Sequence, residues 1–161
     1  MKKGILLMCM ILMTTLFAMS TSADIKQAGY TCHPAGTSFS YWYVYHSRMT
    51  NNSTSTRYLD CPIAGVDLQN YLYGYAYVID HSTDPVYCTL GATNNDGYYQ
   101  SGYYATRNST GDYASVQTLD FGSGGGVNVL GRTPVLHCQV PPKDSSGNQS
   151  GMANYVTYSL F

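Results

Sequence analysis

Glutamate is absent from this chain, tryptophan occurs once, and charged residues make up only 11% of its 161 positions. Each shortage closes a class of function. There is no run or stripe of Lys and Arg, and phosphate backbones need one, so nucleic acid is excluded as a partner. No two cysteines stand at C-x-x-C spacing, which argues against zinc. The run Gly122-Ser123-Gly124-Gly125-Gly126 lacks the Gly-Lys-Ser/Thr ending of a phosphate loop, and reads as a flexible connection. No Gly-x-Ser-x-Gly frame presents a nucleophilic serine. Asp80-His81-Ser82 puts triad residue types side by side, but triads are assembled across a fold, so the stretch reads as a strand end entering a turn. Without glutamate, a glycosidase pair would need two facing aspartates. Asp60, Asp67, Asp80, Asp84, Asp96, Asp112, Asp120 and Asp144 mostly stand at predicted turns, where aspartate caps its own backbone. These absences predict a protein that is not an enzyme and carries no cofactor.

Long apolar runs are scarce as well. The one present spans residues 5–18, follows Lys2 and Lys3, and precedes Thr21-Ser22-Ala23. This is the pattern of a secretory signal peptide, residues 1–23, cleaved after Ala23. The run is short for a bilayer core, so a retained anchor is the weaker reading. Cys9 lies inside it and is badly placed for lipid modification. The remaining 138 residues, 24–161, make one domain with enough chain to bury a core. They keep Lys26, Lys143, Arg48, Arg57, Arg107 and Arg132 against nine aspartates, a net charge of −3. The expected location is secreted or periplasmic, not membrane-spanning after cleavage.

What the chain has in excess is tyrosine, seventeen in all. Two groups recur with a period of two: Tyr41, Tyr43, Tyr45 and Tyr71, Tyr73, Tyr75, Tyr77. Alternate residues of a strand share a face, whereas no helix aligns i, i+2, i+4 and i+6. Strands are therefore expected over 39–48 and 71–80, with Trp42, Val44, Leu72, Ala76 and Val78 on the opposite, buried side. Asn51-Asn52-Ser53-Thr54 reads as a turn returning into a strand at 57–63, the two strands forming a hairpin. Residues 86–90 read as the partner of 71–80. Asn94-Asn95-Asp96-Gly97 is hairpin-turn chemistry. Strands at 115–121, 135–140 and 155–161 complete the set, and residues 141–151 read as a mobile loop. The fold class is all-β: an antiparallel β-sandwich, jelly-roll-like or Ig-like.

Four cysteines remain after cleavage: Cys32, Cys61, Cys88 and Cys138. An even number in an exported chain predicts two disulfides, with three pairings available. Pairing Cys32 with Cys61 and Cys88 with Cys138 closes no crossed loops. The frame around them, Arg57-Tyr58-Leu59-Asp60-Cys61-Pro62-Ile63, then Tyr77-Val78-Ile79-Asp80, Val86-Tyr87-Cys88-Thr89-Leu90 and Leu136-His137-Cys138-Gln139-Val140-Pro141-Pro142, resembles a group of small exported bacterial four-cysteine proteins. The resemblance implies a signal peptide and a β-sandwich. It brings no catalytic or binding residues with it.

The tyrosines are the functional lead. Tyrosine offers a flat apolar face and a hydroxyl, suited to stacking on sugar rings or anchoring an interface. If the rows Tyr41, Tyr43, Tyr45 and Tyr71, Tyr73, Tyr75, Tyr77 face outward, the domain is a binding module for a glycan or a cell-surface protein. The competing uses of those rings are core packing and cross-strand ladders. The alternative function is self-association as a matrix or fibre component of the cell exterior. Oxygens of Asp80, Asp84 and Asn94-Asn95-Asp96 suit calcium, without the spacing of a dedicated loop, and the four histidines His33, His46, His81 and His137 show no ligand spacing.

Overall fold

The computed structural model describes residues 25–36, 39–63, 71–94, 98–111 and 113–159. The expected signal peptide, Asp67, Asn95 to Gly97 and Asp112 lie outside these. Among the described residues stand twelve strands: β1 (Ile25–Ala28), β2 (His33–Pro34), β3 (Trp42–Tyr45), β4 (Arg48–Asn51), β5 (Arg57–Pro62), β6 (Tyr71–Asp80), β7 (Tyr87–Thr93), β8 (Tyr99–Asn108), β9 (Tyr113–Asp120), β10 (Val127–Asn128), β11 (Thr133–Val140) and β12 (Gly151–Ser159). They form two antiparallel sheets. In the seven-stranded sheet β6 and β12 are central; β9 and β10 flank β6, while β1 and β4 flank β12, and β3 is the edge beyond β4. The five-stranded sheet runs β2-β5-β11-β7-β8. The protein is an all-β sandwich with two disulfides.

The core lies between the sheets, where strict alternation in β6 and β11 delivers it. Leu72, Ala76 and Val78 point inward from one sheet, and Leu59, Leu90, Leu136 and Val140 from the other, all buried. Along β12 the register shifts between Met152 and Asn154, a bulge at Ala153. The extra residue keeps Met152 inward and turns Tyr155 inward as well. Cys32 bonds Cys61 and Cys88 bonds Cys138, every sulfur buried. Cys88 and Cys138 are direct neighbours across β7 and β11.

Two expected connections differ, and so does the burial of one residue. The 39–48 strand does not return as 57–63. A 3₁₀ turn occupies Phe39–Tyr41, and β3 pairs with β4 through a two-residue turn in which His46 takes a φ of 53°. His46-Ser47 carries no Gly or Asn, so the turn is silent to sequence rules. The segment after β4 crosses between sheets instead, organised by the buried Asn51. Its amide donates to the carbonyls of Ser55, Val140 and Pro141, and its carbonyl accepts from Ser53 N and Oγ. Likewise β6 and β7 are not partners; they belong to different sheets. Val44, expected inside, is 51% exposed on the edge strand β3.

Asp80 ends β6 with no solvent exposure. Its carboxyl accepts from Ser82 N at 3.0 Å, Val86 N at 3.3 Å, Ser150 Oγ at 3.2 Å and Ser109 Oγ. These donors come from four points of the chain and bind the sheets together at one end. At another junction Tyr155, also fully buried, donates its hydroxyl to the Pro62 carbonyl at 2.6 Å and meets Thr31 Oγ1 at 3.2 Å.

Burial pushes the Tyr155 phenol above its ordinary 10.0, against a smaller lowering effect of Thr31. A raised folded value means its contribution to stability is complete below pH 10.0 and declines as pH rises towards the folded value. An alkaline absorbance titration is expected to show one tyrosine ionising late and with unfolding. Tyr155→Phe is expected to remove that phase and to destabilise by about 1–2 kcal/mol, since the Pro62 carbonyl loses its partner. An unchanged late phase in that variant would refute the assignment.

Candidate binding cleft

All the tyrosines of the two rows that lie on strands project from the outer face of the seven-stranded sheet. On β6, Tyr71 is exposed and Tyr73, Tyr75 and Tyr77 are half-buried, opposite the buried Leu72, Ala76 and Val78. The row forms a ladder with β12. Tyr158 stacks on Tyr73 at 5.5 Å and 13°, and on Tyr75 at 6.1 Å and 28°. The glycine run closes against its end. Gly126, at φ +78°, leaves no room for a Cβ, which would stand 2.8 Å from the Tyr73 ring. The end of the run at Gly126 is thus packed, while Ser123, Gly124 and Gly125 are exposed, as suits the expected connection. Tyr73 and Tyr75 thus each give a ring face to Tyr158.

Tyr43 and Tyr45 on β3 are different. They are 53% and 56% exposed, with rings 6.4 Å apart and 16° from parallel. Tyr45 meets His46 edge-on at 4.1 Å. Tyr41, in the 3₁₀ turn, does not join them: the Arg57 guanidinium lies 4.0 Å from its ring centre. Nor do the two rows merge, because β4 and β12 separate β3 from β6 by three strand spacings of about 4.8 Å each.

Beside Tyr43 and Tyr45 lies a cleft of about 220 Å³. Thr50 and Ile79 form its floor, Arg48 and His81 stand along it, and Gly147 and Gln149 supply the far wall. The floor follows from register: Tyr43 is opposite Thr50, Thr50 opposite Gly151, and Gly151 opposite Ile79. Gly151 allows β4 this close, since a Cβ there would stand 2.6 Å from Thr50 Cα. Ile79 is an outer-face residue yet only 5% exposed, because the segment before β12 covers it.

That segment, expected to be a mobile loop, is held by hydrogen bonds. Lys143 N donates to Ser53 O at 3.1 Å, and Asn51 N to Ser150 O at 2.9 Å. Thr50 Oγ1 donates to Gln149 Oε1, and Gln149 Nε2 to Asn52 Oδ1 at 2.9 Å. Asp144 accepts from Asn148 N at 2.7 Å and Asn148 Nδ2 at 2.8 Å. The wall is thereby pre-set. Sequence reading names Tyr43 and Tyr45; it misses Arg48, Thr50, Ile79 and Gln149, and weighs His81 only beside Asp80 and as a metal ligand. Asp80 is committed to its four donors, so the adjacency of Asp80, His81 and Ser82 is a turn, and the calcium reading loses that oxygen source.

The outer face of the five-stranded sheet carries exposed Tyr58 and Tyr87. Here His137 Nδ1 and Asp60 Oδ1 lie in hydrogen-bond contact at 2.6 Å, with Tyr58 stacked on His137 at 5.6 Å and 17°. Both partners are partly exposed, which keeps the pair to less than about 1 kcal/mol.

No family model and no curated protein matches the chain. Solved structures do. A GH26-CBM35 β-(1,4)-mannanase from Podospora anserina gives a TM-score of 0.51 at 9% identity, over 88% of this chain and 29% of that one. A family two carbohydrate esterase from Cellvibrio japonicus gives 0.49 at 8%, over 87% and 35%. The xylan-binding module CBM86 from Roseburia intestinalis gives 0.49 at 10%, over 86% and 96%. This chain therefore spans about a third of the first two. At these identities the likeness is one of fold. The two disulfides suit an oxidising compartment. No helix among the described residues is long and apolar enough to cross a membrane.

The Asn148 amide, foremost, and the backbone of Asn148 and Ser146 hold the Asp144 carboxyl below its ordinary 3.8, with burial opposing and His81 adding slightly. A lowered folded value means the contribution is present above pH 3.8 and is lost as pH falls through the folded value. Acid titration followed by NMR is expected to show Asp144 titrating below 3.8, with the Asn148 and Gly147 amides losing exchange protection in step. Titration at or above 3.8 would contradict the capped geometry.

Proposed function

We propose that this is an exported, non-catalytic binding module that takes glycan chains on the outer face of its seven-stranded sheet, at the Tyr43–Tyr45 cleft. One observation carries the reading: two exposed, nearly parallel tyrosine rings flank polar side chains that the fold already holds in place. Sugar rings present a flat C–H face and a rim of hydroxyls. Tyr43 and Tyr45 match the first, and Gln149, Thr50, Arg48 and His81 the second. Pre-setting of the Gln149 wall spares the ordering loss that binding otherwise incurs. The fold supports the reading in a general way, since the mannanase that shares it carries a CBM35 in its name. The pattern of residues 1–23 as a cleaved signal peptide, together with the disulfides, supports an address outside the cytoplasm.

Self-association is the second reading. It draws on the edge strand β3, which exposes Val44 as well as Tyr43 and Tyr45, so both faces of that edge are open to a second chain.

Tyr43→Ala and Tyr45→Ala, measured by calorimetric titration with oligosaccharides, are each expected to weaken binding at least about tenfold. Exposed rings contribute little to the fold, so stability should stay within about 0.5 kcal/mol. Tyr75→Ala is the contrast: a loss of up to about 1 kcal/mol in stability from the broken ladder, with binding intact. Equal effects on binding from all three would dissolve the distinction between cleft and ladder. Assembly that grows with concentration without sugar, and is lost in the Tyr43 and Tyr45 variants, would favour self-association.

A further inference from the structure

Four arginines lie in the described residues, and three are engaged. Arg57 lies over Tyr41 and donates Nε to Ser53 Oγ at 3.2 Å. Arg107 donates to the carbonyls of Asp120 and Thr106, and to Ser123 Oγ. Arg132 lies over Tyr103 at 3.9 Å. Arg48 is the exception. Its guanidinium has no ion pair, hydrogen bond or ring contact among the described residues, and it is exposed at the cleft. This is notable in a chain whose residues 24–161 carry nine aspartates against six basic residues. Carboxylates to pair with it are plentiful, yet none lines the cleft. Asp144, on the segment that supplies the far wall, spends both carboxyl oxygens on Asn148.

Resting on the glycan reading above, we infer that the cleft selects anionic sugars, with the Arg48 guanidinium taking a ring carboxylate or sulfate ester while Tyr43 or Tyr45 stacks on the same chain. The chemistry favours this occupant. A guanidinium presents a planar fork of donors that matches a two-oxygen anion, and bonds to such an anion are about twice as strong as neutral ones. Arg48 gives up no internal partner to make them. His81, along the same cleft, adds a second donor, and the Gln149 amide and Thr50 hydroxyl, bonded to Asn52 and to each other, keep one amide hydrogen and acceptor lone pairs for sugar hydroxyls. A hexuronate and a sulfated sugar offer the same oxygens, so the geometry selects the charge, and experiment separates the two sources.

The test is a panel of matched oligosaccharides titrated into the full chain with its disulfides formed. Each hexuronate-containing oligosaccharide is set beside its carboxyl-reduced neutral counterpart and a sulfated form of that counterpart. Anionic members are expected to bind roughly tenfold to a hundredfold more tightly than neutral ones. The gap should narrow with added salt. Arg48→Gln should close it by weakening the anionic members far more than the neutral ones, with the melting temperature unchanged, and Arg48→Lys, which keeps charge without the fork, should restore it in part. Preference for the uronate or for the sulfate then identifies the anion. Neutral members that bind as tightly as anionic ones, untouched by Arg48→Gln, would overturn the inference and leave the glycan reading standing. An anionic preference that survives Arg48→Gln would place it elsewhere and likewise overturn it. Failure of the whole panel to bind would remove both.

Discussion

A carboxyl group that cannot reach water must be surrounded by donors, and the Asp80 site decides where four segments of this chain go. The end of β6, the approach to β7, the turn after β8 and the segment before β12 all meet there. Ser150 links this site to its counterpart. Its hydroxyl serves Asp80 and its carbonyl accepts from Asn51 N. Asn51 in turn gathers the acceptors of the crossing into β5. The two buried side chains, one collecting donors and the other mostly acceptors, fix that end of the sandwich from inside. An unsatisfied polar group there would be far more destabilising than a lost apolar contact at the surface. The cleft inherits its shape from this arrangement, because Gln149 is the neighbour of Ser150.

The same arrangement explains which parts of the fold are legible in the sequence. Alternation over 71–80 names both faces of β6 correctly, since a central strand packed on one side obeys a strict period of two. The disulfides Cys32–Cys61 and Cys88–Cys138 match the pairing favoured among the three that the sequence leaves open, a choice that chain order alone does not settle. Connections are harder. Asn51-Asn52-Ser53-Thr54 has hairpin composition but is a crossing between sheets, and nothing local tells the two apart. What distinguishes them is that Asn51 finds carbonyls 89 and 90 residues away. Val44 is misplaced for a related reason: alternation assigns a face, and only tertiary packing says whether anything covers it.

The site is legible in half. Exposed aromatics announce themselves by spacing, which is how Tyr43 and Tyr45 are found. The row on β6 announces itself equally, but the stacking of Tyr73 and Tyr75 on Tyr158 cannot be read from one strand. Arg48, Thr50 and Gln149 carry no signal of their own. Arg48 follows a turn of ordinary composition, and Gln149 reaches Thr50 across 99 residues.

The position of β12 has a consequence for how the molecule can be made. It follows all the other described strands in sequence and yet sits at the middle of its sheet, between β6 on one side and β1 and β4 on the other. A nascent chain that has released residues up to 150 holds the strands of that sheet as three unjoined pieces: β6 with β9 and β10, β4 with β3, and β1 alone. Their pairing waits for β12, which then zips both sides together. That sheet thus stays open until Gly151–Ser159 has emerged, a state suited to threading and exposed to premature association.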